Sequence, residues 1–387
     1  MHFVPKVENW MFREAVPRWV ECCVDPDFGG PVESFSLDGK TRSSEDFRRT
    51  RVTARQIYVM SHAALLGAPG ARQVAENLFD YLVERVWQGP AFGWVRKLTV
   101  QGGVLDPTPD LYDYAFCLFG LGWYHKLTGD RAALELAFET YDNLTRRFRH
   151  PSGLGFHNQL PITLPRQQNP HMHLMEAALV LADTSGDSLY SQLADELADV
   201  FCNHFFQSDS GLLPEFFDDE LKPLTDPALN RVEPGHQFEW AWILTRHQMQ
   251  SGRDHSRIVR TLVEGAERFG VSPENGFTYN AVGLDEAPLD RGSRTWPNTE
   301  RIKGWLALHE LAGDSPWGSV GAACDTLFEW HLGPTAPEGM WIDAFNADGK
   351  PTAATIPSST LYHIFLAFAE ILRVAQAEAG VSTCASA

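Results

Sequence analysis

Glu233-Pro-Gly-His-Gln-Phe-Glu-Trp240 stands where a loop turns into an apolar helix, and motifs of the same kind recur on both sides of it. Upstream lie Arg51-Val-Thr-Ala-Arg55, Asp110-Leu-Tyr-Asp113 and Asn169-Pro-His-Met-His173. Downstream lie Trp296-Pro-Asn-Thr-Glu300 and Ser358-Ser-Thr-Leu-Tyr-His363. Residues 55, 112, 173, 236, 300 and 363 are separated by 57, 61, 63, 64 and 63 positions, the spacing of a repeated supersecondary unit.

Helical periodicity, with apolar residues three and four apart, predicts twelve segments. They run over 8–21, 51–66, 72–86, 112–127, 131–149, 170–184, 187–206, 234–250, 254–269, 298–312, 316–331 and 358–376. Short joins such as Gly67-Ala-Pro-Gly70, Thr128-Gly-Asp130, Ser185-Gly-Asp187 and Ala312-Gly-Asp314 follow a motif-bearing helix, as antiparallel hairpins require. The alternate connections are long. Three of them, 27–39, 210–220 and 338–349, share a glycine and an alternating strand, and two carry an Asp-Gly turn suited to a hairpin.

Six hairpins with alternating short and long connections describe an all-α fold, an (α/α)6 barrel with short β-hairpins in the long loops. The first helix is expected to be outer and the motif-bearing helices inner, so that all six motifs open on one mouth. Six helix N-termini then aim partial positive charge at it. No linker splits the chain, so residues 1–387 read as one domain, the last ten or so as a flexible tail.

A formal net charge of -18 repels a phosphate backbone, and no basic patch compensates, so nucleic acid is excluded as a partner. Apolar runs fall short of a membrane span. The opening Met1-His-Phe-Val-Pro-Lys6 has no basic segment followed by an apolar stretch, and a cytoplasmic protein is expected. Cys22, Cys23, Cys117, Cys202, Cys324 and Cys384 form no C-x-x-C pair and read as free thiols, mostly buried. A homo-oligomer is compatible with the sequence.

Two motifs repeat a chemical spacing: His173 with Glu176, and His236 with Glu239. Three residues apart on a helix, the carboxylate can orient or charge-stabilise the imidazole. His363 falls in phase with His236, and Arg51 and Arg55 share a helix face. His171 and His173 form an H-x-H, but residues two apart on a helix point away from each other and chelate poorly. With neither H-E-x-x-H nor a cysteine set, no metal is expected, and no cofactor loop or G-x-S-x-G elbow is present. Trp94, Tyr112, Phe116, Trp240, Trp296 and Tyr362 are placed near the mouth, where aromatic faces with Arg, Asn and Glu suit a sugar.

At these same residues the sequence resembles the N-acylglucosamine 2-epimerase superfamily. The matching runs are Ala54-Arg-Gln-Ile-Tyr58, Leu111-Tyr-Asp113, Asn169-Pro-His-Met-His-Leu-Met-Glu176, Pro234-Gly-His-Gln-Phe-Glu-Trp240, Trp296-Pro-Asn-Thr-Glu300 and Ser358-Ser-Thr-Leu-Tyr-His363. The Pro-Gly-His-x-Phe-Glu-Trp run is similar to the aldose–ketose isomerase branch, which includes D-mannose isomerase. The resemblance implies an (α/α)6 barrel that interconverts D-mannose and D-fructose, or related sugars such as D-lyxose and D-xylulose, through a cis-enediolate without a metal. It implies a monosaccharide partner and assigns His363 as the base between C2 and C1, with His236 as the acid/base for ring opening. The two histidines are exchangeable on this reading. Arg55 would hold the oxyanion, Glu239 would tune His236, and His173 with Glu176 would bind hydroxyls or assist proton movement. Tyr112, Asn169, Trp296 and Glu300 are expected substrate contacts, with Arg231 a further one. Return of the proton to C2 from the opposite face would make a 2-epimerase instead. A glycoside hydrolase would need two opposed carboxylates, for which Glu176, Glu239 and Glu300 are available.

Overall fold

Two of the short joins end one helix with a left-handed glycine and start the next with an aspartate. Gly129 and Gly186 adopt φ of 72° and 69°, a region closed to most side chains. Asp130 and Asp187 then accept the backbone N–H of Ala132 and Leu189, each at 2.9 Å, which caps the following helix. The same chemistry turns the chain back on itself in successive units and makes antiparallel pairs. The computed structural model describes residues 2–313 and 315–384. Asp314, which closes one predicted join, therefore lies outside the described residues.

Twelve helices alternate along the described chain: α1 (4–22), α2 (Thr50–Leu65), α3 (71–86), α4 (Leu111–Thr128), α5 (Arg131–Phe148), α6 (Gln168–Ser185), α7 (188–205), α8 (Pro234–Ser251), α9 (Ser256–Gly270), α10 (Thr295–Ala312), α11 (317–331) and α12 (Leu361–Cys384). The first starts before the predicted residue 8, because Pro5 in its first turn has no N–H to leave unsatisfied. The last runs on to Cys384, so most of the segment expected to be a tail is helical. Cys23, Cys117 and Cys324 are buried free thiols and Cys22 and Cys202 are half-buried, while the Cys384 side chain lies outside the described residues.

The even-numbered helices pack in sequence, α2 on α4, α4 on α6 and so on through α12, which returns to α2. They form the inner wall of an (α/α)6 barrel. Inner helices are buried nearly all round, as in α8, where every residue from Pro234 to Thr245 is buried. Outer helices bury one stripe: Val259, Leu262, Val263, Ala266 and Phe269 of α9 face inward at helical spacing. Truncating a stripe residue such as Leu262 to alanine would cost about 2–5 kcal/mol.

A second ring, of backbone pairs, closes the mouth. The residues leading into each inner helix pair antiparallel with the long loop of the next unit: Phe47–Arg49 with Lys97–Thr99, Asp110 with Gln159, and Arg166–Gln167 with Phe216–Phe217. The series continues with Val232 and Val282, then Ser293–Arg294 and Ala344–Phe345. It ends where Ile356–Pro357 pairs with Ser34–Phe35 of the first unit. Phe35, Phe217 and Phe345 each also bridge back across their own turn, to Arg42, Pro223 and Pro351, so the three loops quoted from the sequence do form small hairpins. Inner-helix N-termini are thereby held on both sides.

Candidate active site

His363 is the third residue of α12 and is 6% exposed. Its Nδ1 lies 2.8 Å from Glu300 Oε1 of α10, whose other oxygen lies 2.7 Å from Lys303 Nζ one turn along the same helix. Burial, then the positive charges of Arg55 and Lys303, hold this imidazole well below the usual histidine range. It is neutral at neutral pH. Burial also pushes the Glu300 carboxyl up, as does the neighbouring Glu239, and the Lys303 ammonium opposes them.

His236 has the opposite character. Burial alone would depress it, but the charge and hydrogen bond of Glu215, followed by Glu233 and Glu239, push it up to about 9. Its Nδ1 is 2.8 Å from Glu215 Oε1, and Gln168 Nε2 donates to the two Glu215 oxygens at 3.2 and 3.0 Å. The indole of Trp296 stands beside both imidazoles, its centroid 4.8 Å from that of His236 and 5.7 Å from that of His363. Gly235 permits this arrangement, since a Cβ there would meet the Trp296 ring at 2.5 Å.

Arg55 is 5% exposed and reaches in from α2. It donates to the Tyr112 hydroxyl at 2.7 Å and to the Ser359 carbonyl at 3.3 Å, and lies 4.1 Å over the Phe116 ring. His173 Nδ1 is 3.2 Å from Glu176 Oε2, and Tyr362 Oη donates to Glu176 at 2.6–2.7 Å from across the barrel. Beside the Glu300–Lys303 ion pair, the buried polar atoms here without a hydrogen-bond partner among the described residues include both oxygens of Glu239, Nε of Arg55 and Oδ1 of Asn169. Each is fit to bind a polyol hydroxyl.

Glu239, Glu300 and His363 offer ligand atoms within 4.8 Å of one another. The Lys303 ammonium already supplies a positive charge there, 3.9 Å from Glu239, so the cluster is poorly suited to a metal ion. A cleft of about 1710 Å³ opens at the opposite end of the barrel, beside His62, Trp123 and Trp242. Of the residues above, Glu176 alone touches it. Much of its charge is already paired, Arg373 with Glu370, Lys126 with Asp183, and Arg246 with the nearby Glu310. We therefore place the candidate site at the mouth.

The family model for N-acylglucosamine 2-epimerase matches residues 30–367. The chain belongs to the N-acylglucosamine 2-epimerase family. A mannose-6-phosphate isomerase of Rhizobium meliloti (strain 1021) is 33% identical over 378 residues, covering 95% of this chain and 96% of that one. A cellobiose 2-epimerase of Bacteroides fragilis is 22% identical over 367 residues, 89% and 91% of the two chains. A crystal structure of D-mannose isomerase superposes with a TM-score of 0.86 at 21% identity, over 97% of this chain and 98% of that one, and so shares the fold. This member of the N-acylglucosamine 2-epimerase family is a sugar isomerase or epimerase.

Its barrel brings Arg55, Tyr112, His173, Glu176, His236, Glu239, Trp296, Glu300 and His363 to one end. The two H-x-x-E spacings have different outcomes. His173 pairs with Glu176, but His236 takes its carboxylate from Glu215, with Glu233 4.0 Å away, and Glu239 acts on it only through space. Arg231 is committed to Glu233, donating from Nε and Nη2 at 3.0 and 2.9 Å. Arg51 is paired with Asp113 at 2.8 Å. Trp94 and Trp240, placed near the mouth by the sequence, are fully buried in packing: Trp94 donates to Thr140, and Trp240 lies 4.2 Å from the Phe201 ring. Glu215, Glu233, Gln168 and Lys303 escaped the sequence reading. Lys303 had one visible cue, its position three residues after Glu300.

Proposed function

We propose that this protein is an aldose–ketose isomerase interconverting D-mannose and D-fructose. The observation that carries the reading is the pair of unlike imidazoles beside Trp296, one held neutral and one held protonated at neutral pH. With Nδ1–H donated to Glu300, the Nε2 lone pair of His363 takes the C2 proton and returns it to C1. Protonated His236 assists ring opening and transfers protons among the oxygens. Arg55, a permanent donor, bears the charge that develops on the enediolate oxygen. Trp296 offers an apolar face to the sugar C–H groups, and Asn169 and Glu239 take hydroxyls.

An unphosphorylated sugar is favoured over the phosphorylated one in the name of the 33%-identical relative. The arginines beside the site aromatics, Arg51 over Tyr112 and Arg294 over Trp296, are already paired with Asp113 and Glu233. A phosphate would have to displace a carboxylate. A glycosidase reading is disfavoured because Glu239 and Glu300 crowd within 4.8 Å and share Lys303, whereas glycoside hydrolysis needs carboxyls flanking the bond at roughly 5–9.5 Å.

Incubation with D-mannose in D2O containing EDTA, followed by NMR, tests the proposal. Fructose is expected. Glucose as the sole product would mean that the proton returns to C2 and make the protein an epimerase, and no turnover of either mannose or fructose would refute the assignment.

A further inference from the structure

His150 and His157 flank the turn that follows α5, and Asp219 stands at the tip of the next unit's hairpin. A ligand nitrogen of each imidazole and a carboxylate oxygen of Asp219 lie within 4.8 Å of one another. None of the three belongs to the site described above. From this cluster we propose a second site on this protein, a surface site for a divalent transition-metal ion of the zinc type that clips the loop between α5 and α6 to the loop between α7 and α8.

The spacing suits a tetrahedral ion. With zinc–ligand bonds of about 2.0–2.1 Å, two ligand atoms on one ion stand roughly 3.3 Å apart, and two imidazole centroids roughly 5 Å apart. His150 Nε2 lies 3.3 Å from Asp219 Oδ1, and the two imidazole centroids are 4.9 Å apart. His150 Nδ1 accepts the Ser152 backbone N–H at 3.2 Å and lies 2.6 Å from Ser152 Oγ, which leaves Nε2, turned towards Asp219, as the nitrogen whose proton an ion would displace. His157 is 6% exposed, and its Nδ1 is buried with no hydrogen-bond partner among the described residues. The Asp219 side chain is 49% exposed, which leaves a coordination position open to water. Two imidazoles and one carboxylate select zinc, cobalt or nickel over calcium and magnesium, which prefer oxygen ligands throughout.

Arg166 is a neighbouring charge that opposes a cation, and Asp218 with Asp219 offsets it. Arg166 also shows what the ion would add. It donates to the carbonyls of Leu154, Phe156 and Asp219, already tethering both loops from the strand that leads into α6. The next residues on that path are Gln167, paired with Phe216, and Gln168, which holds Glu215. A bound ion would be a second tether on the loop that carries the partner of His236.

The test uses the untagged full chain, stripped with EDTA and dialysed, then titrated with Zn2+ by calorimetry and with Co2+ by visible absorption. One ion per chain is expected, with the intense bands of tetrahedral Co2+ and a Zn2+-dependent rise in Tm. His157→Ala and Asp219→Asn should each weaken binding about tenfold or more and remove the rise in Tm, while their far-UV circular dichroism stays that of the parent. Absence of saturable one-to-one uptake would overturn the proposal. So would uptake unchanged in both variants, or uptake lost instead in Glu239→Gln, which would put the ion inside the barrel.

Discussion

Glu215→Gln removes one negative charge from His236 and leaves its volume unchanged. In the parent the His236 imidazole is raised from 6.5 to about 9, with Glu215 the leading favourable cause at 2.8 Å. That rise is worth about 3 kcal/mol at 1.36 kcal/mol per pH unit. Glu233 and Glu239 supply part of it and remain in the variant. Burial, which depresses the imidazole, also remains. The titration of His236 is therefore expected to fall by about 1–2 pH units, to between roughly 7 and 8.

The assay is an NMR titration of the His236 ring nitrogens, paired with the pH profile of kcat/KM for mannose. Because protonated His236 is the proposed acid, the basic limb of the profile should move down with the NMR midpoint, and activity below about pH 6.5 should be largely retained. Stability moves in the same sense. A group whose folded value is raised contributes fully below its unfolded value of 6.5, and that contribution is lost as pH rises through about 9. The variant should lose stability at pH 7 and little at pH 10. An unmoved NMR midpoint would refute the electrostatic account of Glu215. A moved midpoint with an unmoved basic limb would remove His236 from the role of acid.

Lys303→Met leaves Glu300 and Glu239 buried without their ammonium, and the expected loss is about 3–5 kcal/mol by urea unfolding at pH 7. A loss under 1 kcal/mol would mean that the carboxyls are already protonated. Gly235→Ala drives a methyl into the Trp296 ring, and overpacking of this kind costs about 1–3 kcal/mol. Sugar binding by calorimetry should weaken, whereas unchanged affinity would remove Trp296 from the binding surface. Acid should destabilise the protein through its buried neutral histidines. His331, fully buried, is depressed from 6.5 to about 4, and so is the half-buried His62, so each contributes stability that is whole above pH 6.5. As pH falls from 6.5 towards 4 about 3 kcal/mol per group should be lost, and a Tm constant across that interval would contradict it.

The sixty-residue spacing and the 3.6-residue periodicity made the barrel legible, because both are local properties of the chain. Glycine after an inner helix and aspartate before the next outer helix, as at Gly129-Asp130 and Gly186-Asp187, marked turns for the same reason. The site was legible only where chemistry ran along one helix, as for His173 and Glu176. His236 shows why identical spacing failed elsewhere. It is the third residue of α8, where side chains lean back towards the helix N-terminus and meet the incoming loop, so Glu215 reaches it and Glu239, one turn deeper, does not. No periodicity fixes the path of a loop, so Glu215 could not be read. Trp240 was misplaced for a related reason, since an aromatic in the second turn of an inner helix packs sideways into the wall as readily as it faces the mouth, while Trp94 lies in the long connection before α4, whose path no periodicity fixes.

The contacts that close the ring are also contacts that build the site, which limits how the protein can be divided. Arg55 of the first unit donates to the Ser359 carbonyl of the last, and Gln56 to that of Ser358. Tyr362 of the last unit fixes Glu176 of the third, and His363 takes its orientation from Glu300 of the fifth. His236 takes its partner from the long connection that enters its own helix, and that strand is paired in turn to the strand leading into α6. Each of the proposed acid and base groups thus gets its charge state from residues distant in sequence. A stacked array of repeats tolerates loss of an end unit, since each unit contacts only its neighbours. Here the end units are neighbours of each other, so removing the chain from residue 356 onward would open the wall, unpair Ser34–Phe35, and strip Glu300 of His363 and Arg55 of the Ser359 carbonyl at once. Differences between the copies make the chemistry, and closure of the ring makes those differences meet.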